Sequence, residues 1–120
     1  MEKFNIKTRL KSFKFAIKGI KTMLCSQHNA WIHVVATILV TLTGLYLGFS
    51  KFEWCFIVFA VIVVWTAEAL NTALEFLADV ASPEFHPLIE KAKDVAAGAV
   101  LISAIGSVII AILIITPYLF

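Results

Sequence analysis

Cysteine is scarce in this chain. Cys25 and Cys55 are the only two, too few for a disulfide framework, and both read as reduced or lipid-facing packing residues. Three prolines and five glycines form no linker. No internal repeat or low-complexity tract divides the 120 residues, so the expectation is a single domain spanning 1–120. A G-x-x-x-x-G-K-[ST] loop is missing, which excludes a Walker phosphate cradle. The spacings of His28, His33 and His86 fit no zinc signature. No unbroken apolar run follows the early lysines and no small-residue cleavage site appears, so no secretory signal peptide is expected. No nucleic-acid partner is expected either.

Charged residues make up 15% of the chain, against 61% hydrophobic residues and a mean hydropathy of +0.94. Soluble domains sit nearer 45–50% apolar, so the excess points to lipid as the solvent. The net charge of +2 conceals a strong asymmetry. Lys3, Lys7, Arg9, Lys11, Lys14, Lys18 and Lys21 all fall at the start of the chain, with Glu2 the only acid among them.

Residues 3–27 carry apolar Ile6, Leu10, Phe13, Ile17, Ile20 and Leu24 at alternating spacings of four and three. The lysines follow the same period on a neighbouring face. That pattern predicts an amphipathic helix lying in the plane of a membrane interface. Three apolar stretches follow, predicted as membrane helices over 32–49, 53–80 and 90–116. Gly44 and Gly48, four apart, fit either a close helix–helix seam or simply a helix end. Pro83 and Pro87 break the chain between the second and third spans, and Pro117 is expected to end the last helix. The fold class is therefore an all-α membrane protein. The basic N-terminal segment, together with Lys91 and Lys93, places the N-terminus and the second loop on the cytoplasmic side.

Glu68, Asn71, Thr72, Glu75 and Asp79 recur at helical spacing and share one face of the second span. At 1.5 Å per residue they make a polar stripe roughly 16 Å long. Ionisable groups at membrane depth are costly and mark function by default. Lys93-Asp94 opens the last helix and is followed by small residues, Ala96, Ala97, Gly98 and Ala99. Carboxylates with one lysine near a water-facing surface suit a metal-bound polyphosphate. Glu75 suits magnesium, a cation that takes oxygen ligands. Glu68, two turns deeper, suits proton removal from a hydroxyl. Lys93 could instead pair with Asp79 or Glu75. A proton-coupled transporter subunit would also place glutamates in a span. A single chain cannot shield the stripe, so either function implies an oligomer.

The run Ala67-Glu-Ala-Leu-Asn-Thr-Ala-Leu-Glu75 with Asp79 resembles the E-x-x-N-[ST]-A-[IL]-E-x-x-x-D signature of the prokaryotic diacylglycerol kinase family. Phe85-His-Pro-Leu-Ile-Glu-Lys-Ala-Lys-Asp-Val-Ala-Ala-Gly-Ala-Val100 is similar to that family's H-x-x-x-x-x-A-K-D element. The resemblance extends over essentially the whole chain, including Lys11–Ile20. It implies a homotrimer with active sites shared between subunits, and an ATP- and Mg2+-dependent phosphorylation of a membrane lipid alcohol in the bacterial cytoplasmic membrane. Glu68 would be the base and Asn71 its support. Glu75 would be a magnesium ligand. Lys93 and Asp94 would contact the nucleotide, with Glu84, Phe85 and His86 near it. The lipid would lie near Glu68 and Ala97.

Three positions depart from the family. Gln27 stands where a second metal-binding glutamate is usual, and offers an oxygen without charge. Phe15 replaces a frequent tyrosine, yet could stack on a base. Thr8 stands where some members carry arginine, and Arg9 beside it reads as a solvated or headgroup-bound cation. Asn29 to His33 resembles the N-x-x-x-H pattern of the undecaprenol kinase branch. As a residue opening a span, however, His33 is expected to meet headgroups. Asn71-Thr-Ala and Lys93 to Val100 also lean towards undecaprenol rather than diacylglycerol as acceptor. A catalytically inactive membrane protein is the alternative, favoured by Gln27.

Overall fold

Asn5 starts the first helix: its side chain accepts from the Lys7 N–H at 3.0 Å, satisfying a donor that the first turn leaves open. The structure is a computed structural model and describes residues 3–120. Glu2, the one acid of the basic N-terminal segment, lies outside that range. Four helices follow in order: α1 Ile6–Ser26, α2 His28–Leu47, α3 Lys51–Ala81 and α4 Pro87–Leu119. The chain is all-helical, and α2, α3 and α4 are long and apolar enough to cross a membrane.

The expected second segment begins at Ile32, but α2 begins at His28. Only Gln27 separates it from α1. At φ −118° and ψ 119° this residue ends one helix and starts the next, its N–H held by the Met23 carbonyl. One extended residue turns the chain without leaving a loop to solvate. Gly48 closes α2 in the left-handed region at φ 73°, a conformation that glycine adopts without strain. Ser50 and Glu53 then form a capping box at the head of α3.

Gly44 and Gly48 thus resolve into a helix end with a close approach. A Cβ on Gly44 would sit 2.7 Å from Phe49 Cδ2 and 2.7 Å from Trp54 Cη2. The neighbour is the head of α3, not a long seam.

The last helix departs from expectation at both ends. It starts at Pro87 rather than Glu90, with His86 as N-cap accepting the Leu88 N–H at 3.2 Å. Proline at the first helical position loses only a donor that would have been unpaired there. Pro117 does not stop α4, which runs on to Leu119. The proline removes one bond, and Phe120 N–H to the Thr116 carbonyl at 3.2 Å continues the pattern beyond it.

The α3–α4 hairpin is the principal packing. Ile57, Ala60, Val64, Glu68, Asn71, Thr72 and Ala78 are the buried residues of α3, whereas α4 buries none. Small residues let the helices approach, and the Ser107 hydroxyl donates to the Ala60 carbonyl at 3.3 Å, a contact of the kind that joins helices in lipid. Thr37, Thr41, Thr43 and Thr72 turn their hydroxyls onto carbonyls one turn back, so these polar groups remain satisfied in an apolar surround.

The radius of gyration is 17.9 Å, against about 14 Å for a globule of this length. The chain does not close around its own core. Ile102, Ile109 and Leu113 on α4, like Leu10 and Phe13 on α1, are exposed, and burying them requires lipid or other chains.

Candidate functional site

The polar stripe of α3 runs from buried to exposed. Glu68 is 0%, Asn71 7% and Thr72 4% accessible; Glu75 is half-buried and Asp79 exposed. A carboxylate at this depth costs about 3 kcal/mol on insertion scales, so what it meets is decisive. Glu68 Oε2 lies 3.1 Å from His33 Nε2. Its Oε1 is buried with no hydrogen-bond partner among the described residues.

His33 therefore does not face headgroups, as its position at the head of a span suggested. It turns inward between α2 and α3. Its ring meets the Trp65 indole edge-on, with centroids 6.0 Å apart. Trp65 Nε1 donates to Thr37 Oγ1 at 3.1 Å, and Thr37 in turn donates to the His33 carbonyl at 2.6 Å. The N-x-x-x-H pattern was the available signal for His33. Trp65 gave none, since it reads as one more apolar residue of the span.

One to two turns further along α3, Gln27 Nε2 donates to Glu75 Oε2 at 2.6 Å. The Asn71 side chain reaches the other Glu75 oxygen from the same helix at 3.5 Å, the outer limit of a hydrogen bond. Asn71 Oδ1 is also buried without a partner among the described residues. The break between α1 and α2 thus brings Gln27 to Glu75, as a shared role for the two would need.

This donor set fits a divalent cation of a particular kind. One carboxylate and two amides make no protein cage, and no group of three His, Cys, Asp or Glu residues able to hold a metal occurs among the described residues. Magnesium is characteristically held by one or two carboxylates while keeping waters and phosphate oxygens. The unpaired Asn71 oxygen beside a carboxylate suits such an ion.

Lys93 and Asp79 face each other at 3.4 Å across the α3–α4 turn. Of the two partners open to Lys93, Glu75 and Asp79, the structure gives it Asp79. His86 and Glu84 lie in the turn before α4, exposed; His86 caps α4, and the Glu84 carbonyl accepts the Ser82 hydroxyl at 2.8 Å. Phe85, Asp94 and Ala97 are exposed. Phe15 is exposed on α1, and Arg9 stands over the Phe4 ring at 5.7 Å. The polar cluster proper is Gln27, His33, Glu68, Asn71 and Glu75.

Two apolar grooves flank it. One, of about 280 Å³, is lined by α2, α3 and α4 residues, with His33 and Thr37 on its wall. The other, of about 420 Å³, runs between α3 and α4 past Ala67, Asn71, Ala96 and Ala99.

Residues 14–115 match the family model described as prokaryotic diacylglycerol kinase. The chain is 38% identical to an undecaprenol kinase of Bacillus subtilis over 109 residues, which cover 91% of this chain and 89% of that protein. It is 34% identical to a diacylglycerol kinase of Synechocystis over 84% of this chain and 58% of the relative. With a diacylglycerol kinase of Escherichia coli K12 it shares 28% identity over 83% and 82% of the two chains. The stripe from Glu68 to Asp79 and the Lys93-Asp94 pair both fall inside the matched region, and the chain belongs to the prokaryotic diacylglycerol kinase family.

Proposed function

We propose that the protein is a lipid kinase that transfers the γ-phosphoryl group of ATP to the hydroxyl of a membrane lipid alcohol, with undecaprenol as the acceptor. The observation that carries this reading is Glu68: a fully buried carboxylate with one oxygen on His33 and the other without a partner. An unpaired carboxylate oxygen at membrane depth suits a hydroxyl that arrives from lipid. The choice of undecaprenol is supported by the Bacillus subtilis relative, named for that activity and matched over most of both chains.

In this reading Glu68 takes the proton of the acceptor hydroxyl. The alkoxide oxygen attacks the γ-phosphorus and the bond to ADP breaks. Asn71 supports the catalytic centre. Glu75, with Asn71 and Gln27, would hold Mg2+, which when bound offsets phosphate charge. Lys93 and Asp94 contact the nucleotide, with Glu84 and His86 near it and Phe15 against the base. Positioning and electrostatics carry most of such a reaction. The apolar chain of the acceptor passes Ala97 and the groove beside His33.

The same reading places α1 in the interface plane. Its apolar Ile6, Leu10, Phe13, Ile17 and Ile20 are all exposed and its lysines lie alongside, an arrangement suited to anionic headgroups. The N-terminus and site then face the cytoplasm of a bacterial cell, by the excess of basic residues there. The groove between α3 and α4 is closed by a neighbouring copy in a homotrimer, which brings residues of adjacent subunits to one site.

The test is transfer from labelled Mg-ATP by purified protein in mixed micelles, with undecaprenol and diacylglycerol offered separately. Label is expected chiefly in undecaprenol. Glu68→Gln is expected to abolish transfer while the oligomer persists in detergent, and full activity in that variant rules Glu68 out as the base.

A further inference from the structure

Glu68 has two carboxylate oxygens, and the fold treats them differently. Oε2 is held by His33 Nε2 at 3.1 Å, while Oε1, also buried, has no partner among the described residues. A freely rotating carboxylate would present either oxygen. Here one atom is anchored to a different helix and the other is not.

The anchor is itself held. Thr37, one turn along α2, donates to the His33 carbonyl and accepts from Trp65 Nε1. The Trp65 ring stands edge-on to the imidazole. Thr72 donates its hydroxyl to the Glu68 carbonyl at 2.8 Å, bracing the α3 backbone at the same turn. The His33 side chain is 12% accessible and that of Glu68 1%, so water competes little for either partner.

We propose that His33 is a positioning residue for Glu68: it fixes Oε2 through Nε2 and so leaves Oε1 as the one atom aimed at the acceptor hydroxyl. The inference rests on the reading of Glu68 as base. With Glu68 ionised, as a base must be, Nε2 carries the hydrogen and its N–H donates a hydrogen bond to the carboxylate. The neutral imidazole has one donor and one acceptor nitrogen, and the hydrogen bond selects which is which. His33 acts through Glu68 and needs no contact with ATP or lipid.

The experiment compares His33→Leu, His33→Gln and His33→Asn in the full-length protein in mixed micelles. His33→Leu is expected to lower kcat roughly hundredfold, the cost of a base misplaced by about 1 Å, with KM for ATP unchanged. His33→Gln carries an amide N–H at the reach of Nε2 and is expected to recover kcat to within about tenfold of the parent. The asparagine amide falls one carbon short and recovers nothing. Glu68→Asp withdraws the carboxylate from Nε2, so adding His33→Leu to it is expected to change kcat by no more than about twofold.

A full additional loss in that double variant, or equal activity of His33→Gln and His33→Asn, overturns the proposal. If His33→Leu does not fold, the glutamine–asparagine comparison decides alone. Parental kcat in His33→Leu with a dead Glu68→Gln sinks this inference only. An active Glu68→Gln sinks the base assignment and the positioning role with it.

Discussion

Gln27 and Glu75 meet at 2.6 Å, amide nitrogen to carboxylate oxygen, and so tie the break between α1 and α2 to the middle of the polar stripe on α3. The contact explains why a single extended residue suffices at that break. Gln27 caps α1 with its backbone and reaches α3 with its side chain. A hydrogen bond to a charged acceptor contributes more than one between neutral groups.

Replacing Gln27 by glutamate exchanges this hydrogen bond for two facing carboxylates. Without a divalent cation they repel; with one they offer a second formal charge. Gln27→Glu is therefore expected to melt lower than the parent in chelator and to gain more from Mg2+. The magnesium needed for half-maximal rate should fall about tenfold, equivalent to about 1.4 kcal/mol of added attraction. Thermal melting against Mg2+ concentration reads the first effect and initial rates the second. An unchanged requirement by both measures removes Gln27 from the metal site.

The far end of the helices is packed independently of this chemistry. Any Cβ on Gly44 would come within 2.7 Å of both Phe49 and Trp54, and Phe49 is itself buried. Gly44→Ala is expected to destabilise by about 1–3 kcal/mol, the range for overpacking. Gly19→Ala makes the opposite control: beyond its own turn of helix backbone, no atom lies within 4 Å of a Cβ added there, and alanine in a helix gains up to about 1 kcal/mol over glycine. Thermal midpoints in one detergent compare the two. Equal midpoints would mean that the head of α3 yields to the methyl group.

Tyr118 near the end of α4 donates to Glu53 Oε2, which also accepts the Ser50 N–H at 2.7 Å. The Phe49 ring lies between Trp54 and Tyr118, with centroid separations of 5.5 and 5.7 Å. Tyr118→Phe keeps the ring and loses the hydrogen bond, and is expected to lower the thermal midpoint slightly. Glu53 stands about 22 Å along α3 from Glu68, so KM and kcat should hold at permissive temperature. A large fall in kcat there would couple this end of the hairpin to the site.

The sequence made the stripe legible because helical period alone sets Glu68, Asn71, Glu75 and Asp79 on one face, and α3 carries them through without interruption. The three long apolar helices were legible from length and apolarity. His33 was legible only in part: the N-x-x-x-H pattern marked it, but its location at the head of a span argued for headgroups, and only the packing of α2 on α3 turns its ring to Glu68. Trp65 and Thr37 were hidden for the same reason, since a hydrogen bond between neighbouring helices leaves no trace in either helix's period. Pro87 and Pro117 misled at opposite ends of α4, each towards too short a helix. Proline weakens a helix interior but suits its first turn, and near the last turn it removes one bond while leaving the next in place.

Lys93 and Asp79 provide the sharpest contrast between a structural and a functional reading. Their 3.4 Å contact joins side chains that are 42% and 70% accessible, and a pair so exposed contributes roughly 0–1 kcal/mol. Removing either partner should therefore leave the thermal midpoint nearly unchanged. Their effects on nucleotide affinity should differ. If Lys93 compensates phosphate as proposed, Lys93→Met deletes that charge and KM for ATP is expected to rise about tenfold or more, a hydrogen-bonded charge contributing about 1.5–3 kcal/mol. Asp79→Asn releases the lysine from its carboxylate, and KM for ATP is expected to stay or fall. Steady-state kinetics at saturating lipid separates the two. Equal increases in both variants would show that the pair acts as a unit holding the α3–α4 turn, and that Lys93 does not bind phosphate on its own.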